Sequence, residues 1–221
     1  PLKTPIGSFE FSVIGGTLKT IENQFFEQSN LKTEIIKPNT RYLNIFSFVY
    51  NPILFKNLYF GFNRAFQQFS QLNPSSNLNK YYFISLQPLF RNNYRDDNLA
   101  IDQLLSGHVK LLFPKQHSEI YFEYGWNDGT SNSRDLMLDL SHSAASIFGI
   151  KKLQYFNDKS YLNLEAEATQ MSQRPSYLQR NAGNWYEHGV LVDGYTNENQ
   201  ILGAGSGFGN NIQTIAISWN K

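Results

Sequence analysis

The residues best suited to chemistry fall into separate groups. His142 stands between Ser141 and Ser143, and a barrel-type hydrolase needs a serine nucleophile within hydrogen-bond reach of a histidine base. Neighbours along a strand point to opposite faces, so neither serine easily serves that histidine. A polar histidine at a strand start or turn is the plainer reading. His117-Ser118-Glu119 sets possible metal ligands on one face but offers no third at a useful spacing. The run Gly203-Ala204-Gly205-Ser206-Gly207-Phe208-Gly209 invites comparison with a phosphate cradle. A dinucleotide fingerprint has different glycine spacing and a following helix, whereas Ile212 to Trp219 reads as a strand. At period two Gly203, Gly205, Gly207 and Gly209 would share a face, which predicts a sharp corner or an inward-folded loop. Trp185, Tyr186 and His188, with Tyr195 and Asn197 in the same loop, combine ring faces with hydrogen-bonding tips. Sugars are bound by such pairings, C–H faces on rings and hydroxyls on polar groups. The same residues could equally pin the loop inside a barrel.

The elements that must position these groups are strands, because alternation is the dominant periodicity and no long segment has helical spacing. Ile120, Phe122, Tyr124 and Trp126 share one face, and Glu119, Tyr121 and Glu123 the other. Leu162, Leu164, Ala166 and Ala168 oppose Asn163, Glu165, Glu167 and Thr169. Between Ile101 and Phe113 an apolar face opposes Asp102, Ser106, His108 and Lys110, although Leu104 and Leu112 interrupt the polar side. Ser8 to Val13 and Thr214 to Trp219 alternate as well. Further strands are expected at Arg41 to Tyr50, Asn57 to Phe66, Lys80 to Leu89 and Ser143 to Phe156. Long connections rich in turn formers are expected at Gln71 to Lys80 and over residues 172–209.

Glu119, Glu123, Glu165 and Glu167 must face water, since burying each unpaired would cost several kcal/mol. A soluble sandwich would turn them outward, and a membrane barrel would turn them into a wet lumen with the Leu, Phe and Ile faces against lipid. Alternation suits both. Strand length favours the barrel: several segments reach the ~9–11 residues that cross a bilayer at a tilt, against ~5–6 for ordinary strands. So do Tyr124, Trp126, Tyr155 and Trp219, placed near strand ends where an aromatic girdle would lie.

Composition narrows the classes further. The chain is 41% hydrophobic and 15% aromatic but only 17% charged, below the usual quarter, with net charge +1. That leaves no basic stripe for nucleic acid. The absence of Cys excludes disulfides, thiolate metal sites and cysteine nucleophiles. No apolar run is long enough for a spanning helix, which leaves a barrel untouched. Pro1 begins the sequence without a basic or apolar leader, so a mature or partial piece of a longer precursor is expected.

The motifs Glu123-Tyr124-Gly125-Trp126-Asn127-Asp128, Arg134-Asp135-Leu136, His142-Ser143, Trp185-Tyr186-x-His188, Gly194-Tyr195-Thr196-Asn197 and Leu202-Gly203-Ala204-Gly205 resemble, in that order, the capsule assembly Wzi family in its Bacteroidota-type branch. The similarity runs from about Ile6 onward and is strongest between Glu119 and Asn211. Where the family often has an acidic residue and a Pro before the His-Ser pair, Leu140-Ser141 stands here. The resemblance implies an all-β, antiparallel transmembrane β-barrel in the outer membrane, binding or organising capsular or other surface polysaccharide in a lectin-like way. It implies no catalysis, no cofactor and no metal. Family members have about eighteen strands and about twice this length, so the chain is expected to be an incomplete portion of a larger barrel, one domain over 1–221, with 172–209 as a plug or rim.

On this reading Asp128, Arg134, Asp135 and His142 join the four glutamates as lumen or motif positions, and Gly194 joins the loop glycines. Partners would be outer-membrane lipid, surface polysaccharide and other envelope proteins. The rival readings are a structural subunit of an outer-membrane envelope complex and, third, a barrel lipid hydrolase centred on His142.

Overall fold

The computed structural model describes residues 1–19, 41–69, 101–127, 139–156, 160–173, 183–187, 193–198 and 200–221. Its strands are β1 (Leu2–Thr4), β2 (Gly7–Leu18), β3 (Arg41–Pro52), β4 (Leu58–Phe69), β5 (Ile101–Phe113), β6 (Ser118–Asn127), β7 (Ala144–Tyr155), β8 (Tyr161–Gln170), β9 (Thr196–Asn197), β10 (Gln200–Ile201) and β11 (Ile212–Asn220). One sheet of nine strands runs β1-β2-β3-β4-β5-β6-β7-β8-β11, and β9 and β10 form a separate hairpin. Every pairing is antiparallel. The sheet is open: β1 and β11 end it, and they do not pair with each other. The expected strand at Lys80 to Leu89 and the connection at Gln71 to Lys80 lie outside the described residues.

Connections alternate in length. Short ones, over 53–57, 114–117 and 156–160, join strands at one end of the sheet, while the long ones, 19–40, 70–100, 128–143 and 171–211, all leave the other end. At the Pro114–Gln116 turn, a single turn of 3-10 helix closes with His117 in the left-handed region at φ 49°. His117 therefore belongs to a turn, its ring edge-on to Tyr155, and does not share a strand face with Glu119.

Register extends the two faces across the whole sheet, because residues directly opposite in an antiparallel pair point to the same side. One row joins Val109, Phe122, Phe148 and Ala168; the next joins Leu111, Ile120, Ile150, Ala166 and Ile215. Phe9 and Phe11 meet Tyr50 and Phe48 on the same side, where Phe9 and Tyr50 stack at 4.8 Å. Polar residues bound this band: Lys152 and Gln154 at the short-turn end, and Ser146, Gln170 and Gln213 at the long-loop end. The apolar side chains are bare, with Ile215 79%, Ile217 68% and Phe148 51% exposed. A monomer in water rarely leaves a contiguous apolar patch of more than a few hundred Å².

The opposite face carries Glu119, Glu123, Lys110, Lys151, Glu165 and Glu167, together with Asn63, Ser106 and His108. Ring-over-glycine pairs shape it. Tyr121 lies across Gly149, where a Cβ would stand 2.1 Å from the ring, and His108 lies across Gly61 in the same way. The buried core also sits on this face, at the long-loop end, where Ala145 and Met171 meet Trp185, Tyr186 and Tyr195 against Leu43, Ala65 and Leu104. The long loop thus folds over the polar face, and the apolar face is largely exposed from β5 to β11, while Asn44, Arg64 and Phe66 are buried at its long-loop end on β3 and β4.

Candidate functional site

The loop is held from both ends of its own sequence and from across the sheet. Trp185 rests on Gly125, where a Cβ would come 2.9 Å from the indole, and its Nε1 donates to the Ser143 carbonyl at 3.0 Å. Gly209 N–H donates to the Trp185 carbonyl at 3.2 Å and Tyr195 N–H to the Tyr186 carbonyl at 3.0 Å, which ties three stretches of the loop together. The Tyr186 hydroxyl accepts from Ala204 N–H at 2.9 Å, and its ring fills the space over Gly203. Burial pushes that hydroxyl's pKa up; the Ala204 bond opposes the shift, and the nearby Glu123 charge adds to it.

Tyr195 reaches the opposite side, donating to the Asp102 carbonyl at 3.1 Å and the Ala65 carbonyl at 3.3 Å. Asn197 Oδ1 accepts from Lys19 N–H at 2.9 Å, so the β9–β10 hairpin extends to the end of β2. Asn127 Nδ2 donates to the Asn184 carbonyl at 3.1 Å, and Asn211 Oδ1 accepts from the N–H groups of Met171 and Ser172. From Lys19 to Met171 the loop braces the polar face over most of its width.

A buried polar cluster supports this brace. Arg41, 0% exposed, donates through Nη1 to Gln67 Oε1 at 3.1 Å and to the Gly194 carbonyl, and through Nη2 to the Thr196 carbonyl at 2.8 Å. Its Nε lies 3.8 Å from Asp193 Oδ2. Gln67 in turn donates to Asp102 Oδ2 at 2.8 Å. Gly194 has φ +57°, and a Cβ there would strike the Tyr186 carbonyl, so only glycine delivers its own carbonyl to the guanidinium. Sequence reading missed Arg41, Gln67 and Asp102 as a group. The available signal was their company on the polar face: Leu43, Ala65 and Leu104 are apolar where water would be expected.

The sequence-predicted sugar contacts have these positions. Trp185, Tyr186 and Tyr195 are 6%, 7% and 3% exposed, and their polar tips are bonded to the scaffold. Here they pin the loop, and their ring faces are covered. Asn197 is half-buried and engaged with Lys19. His188, Asp128, Arg134 and Asp135 lie outside the described residues. The glycines of 203–209 do not share a strand face as period two suggested, because Gly207 and Gly209 have φ +87° and +56° and the segment turns instead of extending. Gly205 faces open space.

The glutamates are on the water-facing side. Glu119, Lys151 and Glu165 form one cross-strand row, in which Lys151 Nζ is 3.6 Å from Glu165 Oε2 and Asn163 donates to Glu165 at 2.8 Å. The Tyr121 hydroxyl reaches over Gly149 to Glu167 at 2.5 Å. Glu123 lies between His108 and Ile147. Lys151–Glu165 is a solvent-exposed ion pair, and pairs of that kind add little to stability.

His142 lies in the turn before β7, where Ser141 donates both N–H and Oγ–H to Asp139 Oδ1 and Ser143 has φ 55°. Its ring forms no hydrogen bond with a described residue, and no metal-binding group of three or more His, Asp or Glu occurs among those residues. In comparisons with protein-family profiles, with curated proteins and with solved structures, the chain matches none.

Proposed function

We propose that this chain forms part of an outer-membrane β-barrel that binds or organises surface polysaccharide without catalysing a reaction. The observation that carries the membrane half is the choice of face. A soluble sandwich would cover the apolar side and wet the polar one, whereas here the long loop lies over the charged face and the Phe/Ile/Leu band stays bare. Lipid is the solvent that favours this arrangement, with Ile120, Phe122, Leu162 and Leu164 toward the acyl chains and Glu119, Glu123, Glu165 and Glu167 toward a lumen. Short turns at one end and long connections at the other fit a periplasmic and an extracellular side. Unpaired strand edges cannot stand in hydrocarbon, so further strands join β1–β2 and β11 in the assembled barrel.

The polysaccharide half rests on the motif resemblance and on the loop. With Trp185, Tyr186 and Tyr195 as anchors, the groups offered to a glycan are on the loop's outer side: Asn184, Glu187, Phe208 and Asn210, all exposed. The test is capsule retention by cells carrying the full-length protein. Replacing Asn184 and Glu187 with Ala should lower retention while the barrel keeps its heat-dependent gel mobility. The double variant Trp185→Ala/Tyr186→Ala should lower it too, with the loop opened to protease. Unchanged retention in both variants would overturn the glycan role.

The second reading, a structural subunit of an envelope complex, draws on the same bracing, since a loop committed to holding a wall in shape suits a scaffold. Stable companion proteins on detergent purification, with no glycan affinity, would favour it.

A further inference from the structure

We propose that a hydroxyl-lined niche at the long-loop edge of the apolar face, between β6, β7 and β8, seats the uncharged sugar headgroup of a membrane glycolipid. This rests on the barrel reading above and assigns a lipid class to its outer wall.

The niche follows from register. Trp126 and Tyr124 stand opposite Ala144 and Ser146, and Ser146 stands opposite Gln170. Large rings beside small side chains leave a depression, and the cavity there measures about 220 Å³, with Ala144 and Ala145 in its lining and Ser141, Ser146, Gln170 and Ser172 around it. Its roof is fixed: the Tyr124 hydroxyl and Trp126 Nε1 both donate to the Leu140 carbonyl, at 3.1 and 3.0 Å, which draws the 139–143 turn over the opening.

Its chemistry selects the ligand. The Ser146 hydroxyl and the Gln170 amide form no hydrogen bond with a described residue, so both can donate to and accept from a ligand. Among the described residues no charged side chain lines the cavity, and the Asp139 carboxylate, which takes the hydroxyl of the lining Ser141 at 2.7 Å, brings negative charge to its edge. A phosphate headgroup would enter without a counter-charge and beside a carboxylate, an unfavourable desolvation. Sugar hydroxyls match the lining, and a ring C–H face can pack on Tyr124. The volume is below the ~300–1,000 Å³ of drug-sized pockets and suits one sugar ring.

The anchor has a path as well. One row toward the short-turn end lie Phe122, Phe148 and Ala168, and then Ile120, Ile150 and Ala166. Along β8 the low side chains Ala168 and Ala166 run between Phe148 and Ile150 on one side and Gln213 and Ile215 on the other. An alkyl chain hanging from a headgroup in the niche would lie in that trough.

The test uses the full chain in phosphatidylcholine vesicles containing equal amounts of monoglucosyl-diacylglycerol, unglycosylated diacylglycerol and phosphatidylglycerol. Lipids retained after transfer to a non-ionic detergent are counted by native mass spectrometry. The glucosyl lipid should be retained preferentially, and Ser146→Leu or Gln170→Leu should each cut its retention about tenfold, the equivalent of one lost polar contact. Ser218→Leu, on the polar face, should leave it unchanged. Equal retention of the three lipids, or wild-type retention in both niche variants, overturns the proposal while vesicle flotation still upholds the barrel. A chain that does not float with the vesicles overturns both.

Discussion

Arg41 is the residue on which the loop's attachment turns. Its guanidinium is fully buried, forks to the carbonyls of Gly194 and Thr196, and faces Asp193. Removing one partner from such a cluster leaves the others desolvated and unmatched, which costs about 3–5 kcal/mol. Arg41→Leu should therefore release the loop, read as faster protease cleavage within residues 183–209, and Arg41→Lys should rescue little because an ammonium cannot reproduce the planar fork. Tyr186 supplies a pH signature of the same attachment. Its hydroxyl pKa is raised in the docked loop, so the docked state keeps a proton that the free loop loses. That contribution is complete below the ordinary value of about 10 and is lost as pH climbs through the raised one. In a variant whose only tryptophan is Trp185, fluorescence should report loosening above pH about 10. Tyr186→Phe should abolish this alkaline step, at a baseline cost of about 1 kcal/mol for the Ala204 N–H left without its acceptor. An alkaline step that survives Tyr186→Phe would assign the loosening to another group.

At the scale of elements, the strands were legible because each is a period-two pattern in a short window, readable without knowing its neighbours. Glu119 to Trp126 was expected and Ser118–Asn127 is observed; Tyr161 to Thr169 became Tyr161–Gln170. β2 runs past the expected Val13 to Leu18, because Ile14, Gly15 and Gly16 break the alternation while β3 still supplies partners for all of them. What a short window cannot hold is a contact made across the sheet. Arg41, Gln67, Asp102 and Tyr195 come from distant stretches of chain and meet only through register, so their cluster was invisible. Leu104 looked like a flaw in its strand's polar face and is in fact part of the floor under the loop. Tyr121 over Gly149 is another cross-strand device of this kind, and it is testable. Gly149→Ala places a methyl on the tyrosine ring and should cost about 1–3 kcal/mol of overpacking, measured by denaturant unfolding in detergent. Tyr121→Ala should suppress most of that penalty, so that the double variant is less destabilised than the sum of the singles. Strict additivity would mean that the ring does not constrain the glycine.

For the whole molecule, the question alternation left open was which face is inside, and the strands alone could not answer it because a sandwich and a barrel wall share one pattern. The loop lies on the charged face, which in the proposed barrel makes that face the lumen, and this proposal has an optical consequence. Trp126 and Trp219 are on the apolar side of the sheet, Trp219 with 56% of its surface exposed, while Trp185 is 6% exposed beneath the loop on the other side. These are the chain's three tryptophans. In vesicles containing brominated phosphatidylcholine, single-tryptophan variants retaining Trp126 or Trp219 should be quenched, and the variant retaining Trp185 should not. Bromines placed at successive depths should quench Trp126 and Trp219 most strongly near the headgroups, since the two stand at opposite ends of the sheet, where aromatic girdles lie. A sandwich in water, with a second layer over the apolar face, would show no lipid-dependent quenching at either position. Quenching of Trp185 above the others would invert the wall and require the glutamates to face lipid, which the charge cost on a lipid-facing strand, about 2–4 kcal/mol for a basic residue at midplane and less for an acidic one, makes hard to sustain for Glu119, Glu123, Glu165 and Glu167 together.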